Sequence, residues 1–401
     1  EDQFNLRRYP AEDSERIHMV WTDCPKWTSS WNGGNEFIKA LRTDIIECVI
    51  AQHIWMEDDC LLADILLPVN TKFEERDINA DIMSGNYNML VLEEQTIESL
   101  GESKSDWECA LAVAEKLGVT EQVTGGVTLE QKLRRGFENS GVQEHISFDQ
   151  FLERKAYLVP PADDWESDAA GFYGFYRDPQ TSPLKTPSGL IEYYSPRLAE
   201  HFPEDRERMP YPRWIENGET HPDERLGGER AKRYPYLLVS NHPHWRLHSQ
   251  LDDCAWFREI KTCKVVGPDG YAYEPLWVNP VDARELGVAS GDVVKIVNER
   301  GWTMGGVYVT ERIRPQTVLQ DHGARMDPIE LGVSDRGGTN NLIAPKAIAS
   351  KNCAGEVTSG FLVGIEKVDV FDLARRYPEA FSRPYDPETG PLHIVAATAD
   401  E

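Results

Sequence analysis

The sequence predicts a mixed α/β chain. A partial, mostly parallel sheet occupies residues 1–150, an irregular connection 151–233, and a β-barrel 234–401. Two observations carry this prediction. Before residue 120, unbroken apolar runs such as Ile45–Ala51 and Ile65–Leu67 alternate with helical segments, the pattern of strands covered on both faces. After Tyr234, short strand-like runs alternate with glycine turns, the pattern of a small barrel.

Taken in order, His18–Trp21 reads as a first short strand, and Trp27–Asn35 as a Trp/Ser/Gly-rich loop leading into a helix at Phe37–Leu41. Ile45–Ala51 is a second strand, and Glu57–Ala63 a short helix or turn. Asp64–Pro68 reads as a buried strand stopped by proline. Asp106–Leu117 is an amphipathic helix with Ser105 as its N-cap and Gly118 just past its end. Residues 155–235 are rich in Pro, Tyr, Asp and Glu, with few helical patterns. Strands follow at Tyr236–Ser240, Asp292–Val297, Gly305–Thr310, Thr317–Leu319 and Gly360–Ile365. Pro280–Leu286 reads as a helix with proline at its start and Gly287 just after its end.

The chain of 401 residues is 40% hydrophobic and 27% charged, which suits two or three globular domains. A net charge of -26 argues against nucleic acid as the main partner. No apolar run approaches the roughly 20 residues of a membrane span. Seven scattered cysteines, none in CxxC spacing, argue against an iron–sulfur cluster, a zinc site or a disulfide framework within the chain. Reduced thiols favour a cytoplasmic setting. The first residues carry no Met start and no apolar signal core, and Arg7-Arg8 precedes no hydrophobic stretch. The chain therefore reads as beginning inside a larger protein, and export on a twin-arginine signal further upstream stays open.

Several clusters suit ligand binding. Trp31-Asn32-Gly33-Gly34-Asn35 lies between a strand and a helix, where glycines admit a close ligand and the helix N-terminus offers N–H groups to phosphate; a plain turn with Asn35 as N-cap reads equally well. Gln52 and His53 end an apolar strand, the edge at which open sheets bind ligands. Ser240, Asn241, His242, His244, Trp245, Arg246, His248 and Ser249 bring three histidines within seven residues. On an extended strand His242 and His244 share a side, and Arg246 offers a fork to phosphate. With no interleaved carboxylate or cysteine, the set fits an anion and a heterocycle better than a metal. Gly337-Gly338-Thr339-Asn340-Asn341 presents amides to a heterocycle edge or forms a turn. Asp106 suits either the paired donors of guanine or the helix dipole. No Ser-His-Asp triad, P-loop or carboxylate pair is evident.

Together these segments resemble the molybdopterin oxidoreductase family typified by dimethyl sulfoxide reductase. The most specific stretch is Val278-Asn279-Pro280-Val281-Asp282-Ala283-Arg284-Glu285-Leu286-Gly287-Val288, continuing through Ser290–Val294 to Asn298–Gly301; a second is Leu62–Pro68 followed by Glu74. Trp21–Pro25, Trp31–Asn35 and His242–Ser249 are similar to the pyrogallol–phloroglucinol transhydroxylase and catechol dehydroxylase branch.

The resemblance implies a cofactor-binding parallel-sheet domain followed by a six-stranded double-psi-type barrel cap. It implies a bis(molybdopterin guanine dinucleotide) holding molybdenum, or tungsten. The metal ligand would lie in an N-terminal half of the same polypeptide, and a [4Fe–4S] cluster there or in an iron–sulfur partner subunit. Asp23, Trp31, Gly33, Gly34 and Asn35 then lie near one dinucleotide, Gln52 and His53 contact its nucleotide part, and Asp106 takes guanine. Ser240–Ser249 close over the pterins, with His322 and Asn340 as later contacts. Where some relatives carry a cofactor-contacting lysine, this chain has Glu75. The resemblance assigns no catalytic residue and no metal ligand here. Formate, nitrate, sulfoxide or acetylene-type chemistry remains an alternative to hydroxylated aromatics, as does a non-catalytic nucleotide-binding module.

Overall fold

The structure is a computed structural model, and it describes residues 9–11, 14–81, 88–161, 163, 171–206, 208–213, 226–346, 348–350, 353–356 and 360–392. Contacts group the chain into two compact units. One runs to Leu66 and resumes with the barrel region, and the other spans Leu67–Glu204 with Met209–Arg213. The early strands thus share a unit with the barrel, whereas the sequence groups them with the helices up to residue 150.

In the first unit, β1 (Met19–Thr22) pairs in parallel with β2 (Cys48–His53), with helix α1 (Gly34–Leu41) between them in sequence. The third strand, β3 (Ile65–Pro68), lies beside β2. Two sequence expectations need correction here. The second strand starts three residues later than the apolar run, because its pairing with β1 begins at Cys48. The third is an edge rather than a buried strand: Ile65 is 47% exposed. Ile38, Leu41, Val49 and Leu62 pack with Met326 and Leu342 from the barrel's loops into one apolar cluster.

The second unit contains elements the sequence reading passed over. Strands β4 (Asp77–Asp81), β5 (Met89–Glu93) and β6 (Ala156–Leu158) form an antiparallel sheet. Helix α2 (Asp106–Leu117) has the expected bounds, with a capping box between Ser105 and Glu108 and Gly118 at φ +69; each cap of this kind contributes about 1 kcal/mol. Helices α3 (Leu129–Glu138) and α4 (Phe148–Arg154) pack Phe137, Phe148 and Phe151 onto Leu90 and Leu92.

The barrel is closed. Its strands are β7 (Tyr236–Val239), β8 (Pro275–Val278), β9 (Val293–Asn298), β10 (Gly301–Val309), β11 (Thr317–Leu319) and β12 (Phe361–Lys367), with α5 (Pro280–Leu286) after β8. The circuit runs β8–β11–β7–β12–β9–β10 and returns to β8 through a parallel β8–β10 pairing. Closure removes exposed edges, and Leu238, Leu276, Val294, Ile296, Val307, Val318 and Val363 fill the interior. The side chain of Asn279 caps α5, and Gly287 ends it in the left-handed conformation. Among the described residues no helix is long and apolar enough to cross a membrane.

The Gly33-Gly34 pair is fixed by space as well as by φ. A Cβ on Gly34 would lie 2.2 Å from the Thr28 carbonyl oxygen and 2.8 Å from Leu342 Cδ2. Gly34→Ala is therefore expected to destabilise the first unit by about 1–3 kcal/mol. Gly118→Ala meets open space and should cost only about 1 kcal/mol, for its left-handed φ. Equilibrium urea unfolding of the two variants measures the difference; equal costs would contradict the packing argument.

Candidate functional site

The site-bearing loops of the first unit are built around buried carboxylates. After β1, exposed Asp23 leads into a short helix at Trp27–Ser30. Asp59, on the 3-10 turn Asp58–Leu62, caps that helix by accepting from Trp27 N (2.7 Å) and Thr28 N (3.1 Å) and from the Thr28 hydroxyl. Burial pushes Asp59 up to about 6 despite these donors. Asp58, also raised by burial, accepts from the Ser29 hydroxyl and from Met326 N (2.6 Å). Exposed Trp31 stacks on Trp27, with ring centroids 6.0 Å apart.

Gly33, at φ +73, is the N-cap of α1, so Asn35 lies one step inside the helix rather than capping it. The buried Asn35 amide instead donates to the carbonyls of Arg300 (3.1 Å) and Val333 (3.4 Å) on the barrel. Gln52 is buried and accepts from Trp21 Nε1 at 3.1 Å. His53 ends β2 with Nε2 3.5 Å from Glu57 Oε2, and Glu57 is fully buried. Arg325 spans this region. It donates to the carbonyls of Met56 (3.1 Å) and Ser249 (3.0 Å) and to Asp253 (3.1 Å), and lies 3.8 Å from Glu57.

On the barrel side, β7 ends at Val239, and Ser240 to Ser249 form a loop. This corrects the strand expected at His242 and His244, since the chain leaves the sheet before reaching them. His244 is exposed, while His242 packs its ring on His322 with centroids 4.5 Å apart. His248 Nδ1 lies 2.7 Å from His322 Nε2. Asn241 O accepts from His322 N at 2.8 Å, and the Ser249 hydroxyl lies 3.4 Å from that of Ser29.

Nitrogens of His242, His248 and His322 lie within 4.8 Å of one another. The 2.7 Å His248–His322 separation is a hydrogen bond, shorter than the ~3.3 Å that tetrahedral ligation at about 2.05 Å imposes on two ligand nitrogens.

Arg246 also departs from expectation. It is fully buried, and all five N–H donors are engaged: with Glu274 (2.7 and 3.0 Å), Asp252 (2.8 Å) and the carbonyls of Asp321 (3.3 Å) and His322 (3.0 Å). It therefore has no fork to offer phosphate. Lys264 bonds the same two carboxylates at 2.8 Å. Burial alone would raise Asp252, but Lys264, Arg246 and Arg258 hold it far below the usual range. Asp321, beside this cluster, is pushed up to about 6 by burial and by Glu274.

Asn340 closes the loop cluster, donating to the Gln320 carbonyl (2.8 Å) and the Ser240 hydroxyl (3.3 Å). Among the described residues, several buried polar atoms of this unit lack a hydrogen-bond partner: Ser30 Oγ, Asn35 Oδ1, His53 Nε2, both Glu57 carboxylate oxygens and Trp245 Nε1. Such atoms are costly unless a ligand satisfies them.

Asp106 belongs to the second unit. With Lys72, Glu75, Trp107, Leu129 and Lys132 it lines a cavity of about 500 Å³, in the size range of ligand sites. Lys132 Nζ sits 4.1 Å from the Trp107 ring centroid. Glu75 pairs with Lys72 at 2.8 Å. Glu74 is occupied in fixing its own turn, accepting from Thr71 N (2.7 Å) and Leu100 N (2.6 Å).

Sequence reading missed Glu57, Asp58, Asp59 and Arg325. The only available signal was a run of three acids directly after a strand, which looks like a solvated turn. Asn341 was visible beside Asn340, but nothing local distinguishes their partners.

Comparison with known proteins adds the following. Residues 11–116 match the molybdopterin oxidoreductase family, and residues 236–355 match the molydopterin dinucleotide binding domain. The pyrogallol hydroxytransferase large subunit of Pelobacter acidigallici is 27% identical, over 92% of this chain and 45% of that protein. The trimethylamine-N-oxide reductase of Haemophilus influenzae is 30% identical, over 84% and 41%. Acetylene hydratase from Pelobacter acetylenicus shares the fold at TM-score 0.55 and 16% identity, covering 90% of this chain and 45% of its own. The chain spans about half the length of the curated relatives it matches.

Arg246→Ala leaves two buried carboxylates to Lys264, with Arg258 near Asp252, and should cost about 3 kcal/mol in urea unfolding, far more than loss of an exposed phosphate ligand. Asp321 supplies a pH test. Its folded value is raised, so its contribution is complete below the unfolded carboxylate value and is lost as pH rises through about 6. Asp321→Asn removes that loss. The variant should gain on the order of 1–2 kcal/mol over the native chain between about pH 4 and pH 7, measured as the difference in unfolding free energy at the two pH values.

Proposed function

The chain belongs to the molybdopterin oxidoreductase family, and from that premise we propose that it forms part of the cradle for a bis(molybdopterin guanine dinucleotide) carrying molybdenum, or tungsten. The observation that carries this reading is the convergence of the β2 end, the Gly33-Gly34 turn and the barrel loops. Together they leave buried polar atoms without a hydrogen-bond partner on Ser30, Asn35 and Trp245. A polar heterocycle with phosphate arms fits that donor and acceptor set.

In this reading, Asp23, Trp31, Gly33, Gly34 and Asn35 border one dinucleotide. Gln52 and His53 hold its nucleotide portion, and the loop from Ser240 to Ser249 covers the pterins with His322. Asn340 holds that loop against the barrel through Ser240. Arg246 acts from behind it, because its donors are committed to carboxylates and carbonyls. In the second unit, the Asp106 carboxylate accepts from the N1–H and N2–H₂ edge of guanine, and Trp107 offers its ring face beside it. When bound, the group supplies two-electron metal chemistry with the pterins as electronic ligands, while the protein binds and orients it and excludes water.

The substrate we favour is a hydroxylated aromatic, supported by the likeness to a pyrogallol hydroxytransferase across 92% of the chain. An N-oxide or S-oxide is the second reading, supported by 30% identity to reductases of those compounds. The metal ligand then resides in a further segment of the polypeptide, and any [4Fe–4S] cluster there or in an electron-transfer subunit.

Elemental analysis of the full-length gene product should find about one molybdenum or tungsten per chain, the count expected for a single bound cofactor. Its absence from active protein would sink the proposal. Turnover of pyrogallol or catechol, measured against trimethylamine N-oxide and dimethyl sulfoxide, decides between the two substrate classes.

A further inference from the structure

Three side chains behind the barrel loop form a directed hydrogen-bond chain whose polarity follows from one backbone atom. The Ser30 carbonyl can only accept, and Asn341 Nδ2 lies 3.1 Å from it. The same nitrogen lies 3.2 Å from Asn32 Oδ1. The Asn341 amide is therefore oriented with its oxygen away from Ser30, and that oxygen lies 3.0 Å from His322 Nδ1. An amide oxygen only accepts, so His322 carries its proton on Nδ1. His322 Nε2 is then a bare lone pair, and it lies 2.7 Å from His248 Nδ1, which must supply the proton. The sequence of donations ends at His248 Nε2, which has no partner among the described residues and is left as an acceptor.

We infer that Asn341, acting through His322, fixes His248 with its Nε2 as a bare acceptor on the loop that follows β7. This part of the site then selects a neutral heterocycle presenting a ring N–H and disfavours anionic oxygens. The inference deepens the proposed cofactor reading and rests on it for the identity of the ligand. Of the anion and the heterocycle expected for this set from sequence, it keeps the heterocycle at His248, because a lone pair repels phosphate.

The surroundings support the neutral state of both rings. Burial and neighbouring His242 hold His322 down at about 4, and burial with Lys26 and His242 lowers His248. Backbone packing holds His248 in place at φ +53, an uncommon conformation for a residue with a side chain. A Cβ on Gly323 would lie only 2.0 Å from the His248 carbonyl oxygen, so that contact tolerates nothing larger than glycine. Asn341 is a positioning residue here and does not itself reach the ligand.

The test reads protonation directly. Ring ¹⁵N shifts of histidine-labelled native chain near pH 7.5 should show His322 and His248 protonated on Nδ1, with Nε2 bare. A His248 protonated on Nε2 overturns the inference, and so does a Zn²⁺ titration that shifts both rings together as ligands. Asn341→Leu and His322→Leu break the relay at separate points, and each should release the His248 tautomer preference. Each should also weaken binding of 6-hydroxymethylpterin, followed by fluorescence quenching, by about tenfold, the scale of one hydrogen bond near 1.4 kcal/mol. His322→Gln retains a donor–acceptor pair and should keep the His248 tautomer. Unchanged tautomers in both leucine variants overturn the relay. A correct tautomer with no pterin binding overturns the ligand assignment alone. Elemental analysis tests the cofactor reading independently of either result.

Discussion

The buried ion cluster of Arg246, Lys264, Asp252 and Glu274 is the constraint on which the site-bearing end of the barrel depends. Two cations and two carboxylates, each at most 6% exposed as side chains, balance one another with hydrogen bonds of 2.7–3.0 Å. Isolated, any one of these charges would cost several kcal/mol. Together they lock the loop after β7 to the residue preceding β8, and through the Asp321 and His322 carbonyls to the loop after β11. His248 and His322 sit on two of those loops, so the geometry of the histidine pair follows from charges that never face a ligand.

A second seam ties the early sheet to the barrel within the same unit. Asp58 accepts from Met326 N, Asn35 donates to Arg300 O and Val333 O, Asn341 donates to Ser30 O, and Arg325 donates to Met56 O. Nearly every contact in this seam joins a side chain to a backbone group. Backbone groups cannot be moved by changing a single residue, so the seam sets distances more firmly than paired side chains would. Glycines at 33, 34 and 301 occupy points of closest approach, where an added Cβ would meet backbone or side-chain atoms at 2.2–3.0 Å.

The electrostatics of the site run against those of the whole chain. The chain carries a net charge of -26, yet burial lowers His322 and His248, and the acids behind them are either paired with arginine and lysine or raised toward protonation. A neutral, donor-and-acceptor surface of this kind discriminates heterocycles by the direction of their hydrogen bonds, which a charged surface does poorly.

Local features were legible in the sequence wherever a physical signal is local. The Ser105–Gly118 helix, the Asn279–Gly287 helix and the strand Thr317–Leu319 follow from caps, proline placement and β-branched runs, which act over a few residues. The family resemblance likewise rested on contiguous stretches, and the barrel and the molydopterin dinucleotide binding domain bear it out. The partners of polar side chains were not legible. Arg246 reads as a free phosphate fork until Glu274 is brought beside it from 28 residues away, and Asn341 reads like Asn340 until Ser30 O arrives from 311 residues away. Sequence by itself determined the well-capped helices, most barrel strands and the family, because propensity and capping depend on neighbours in the chain. Only the tertiary structure decided which polar groups are left without a protein partner and which are already spent, because a hydrogen-bond donor is exhausted by whichever acceptor folding brings within about 3 Å.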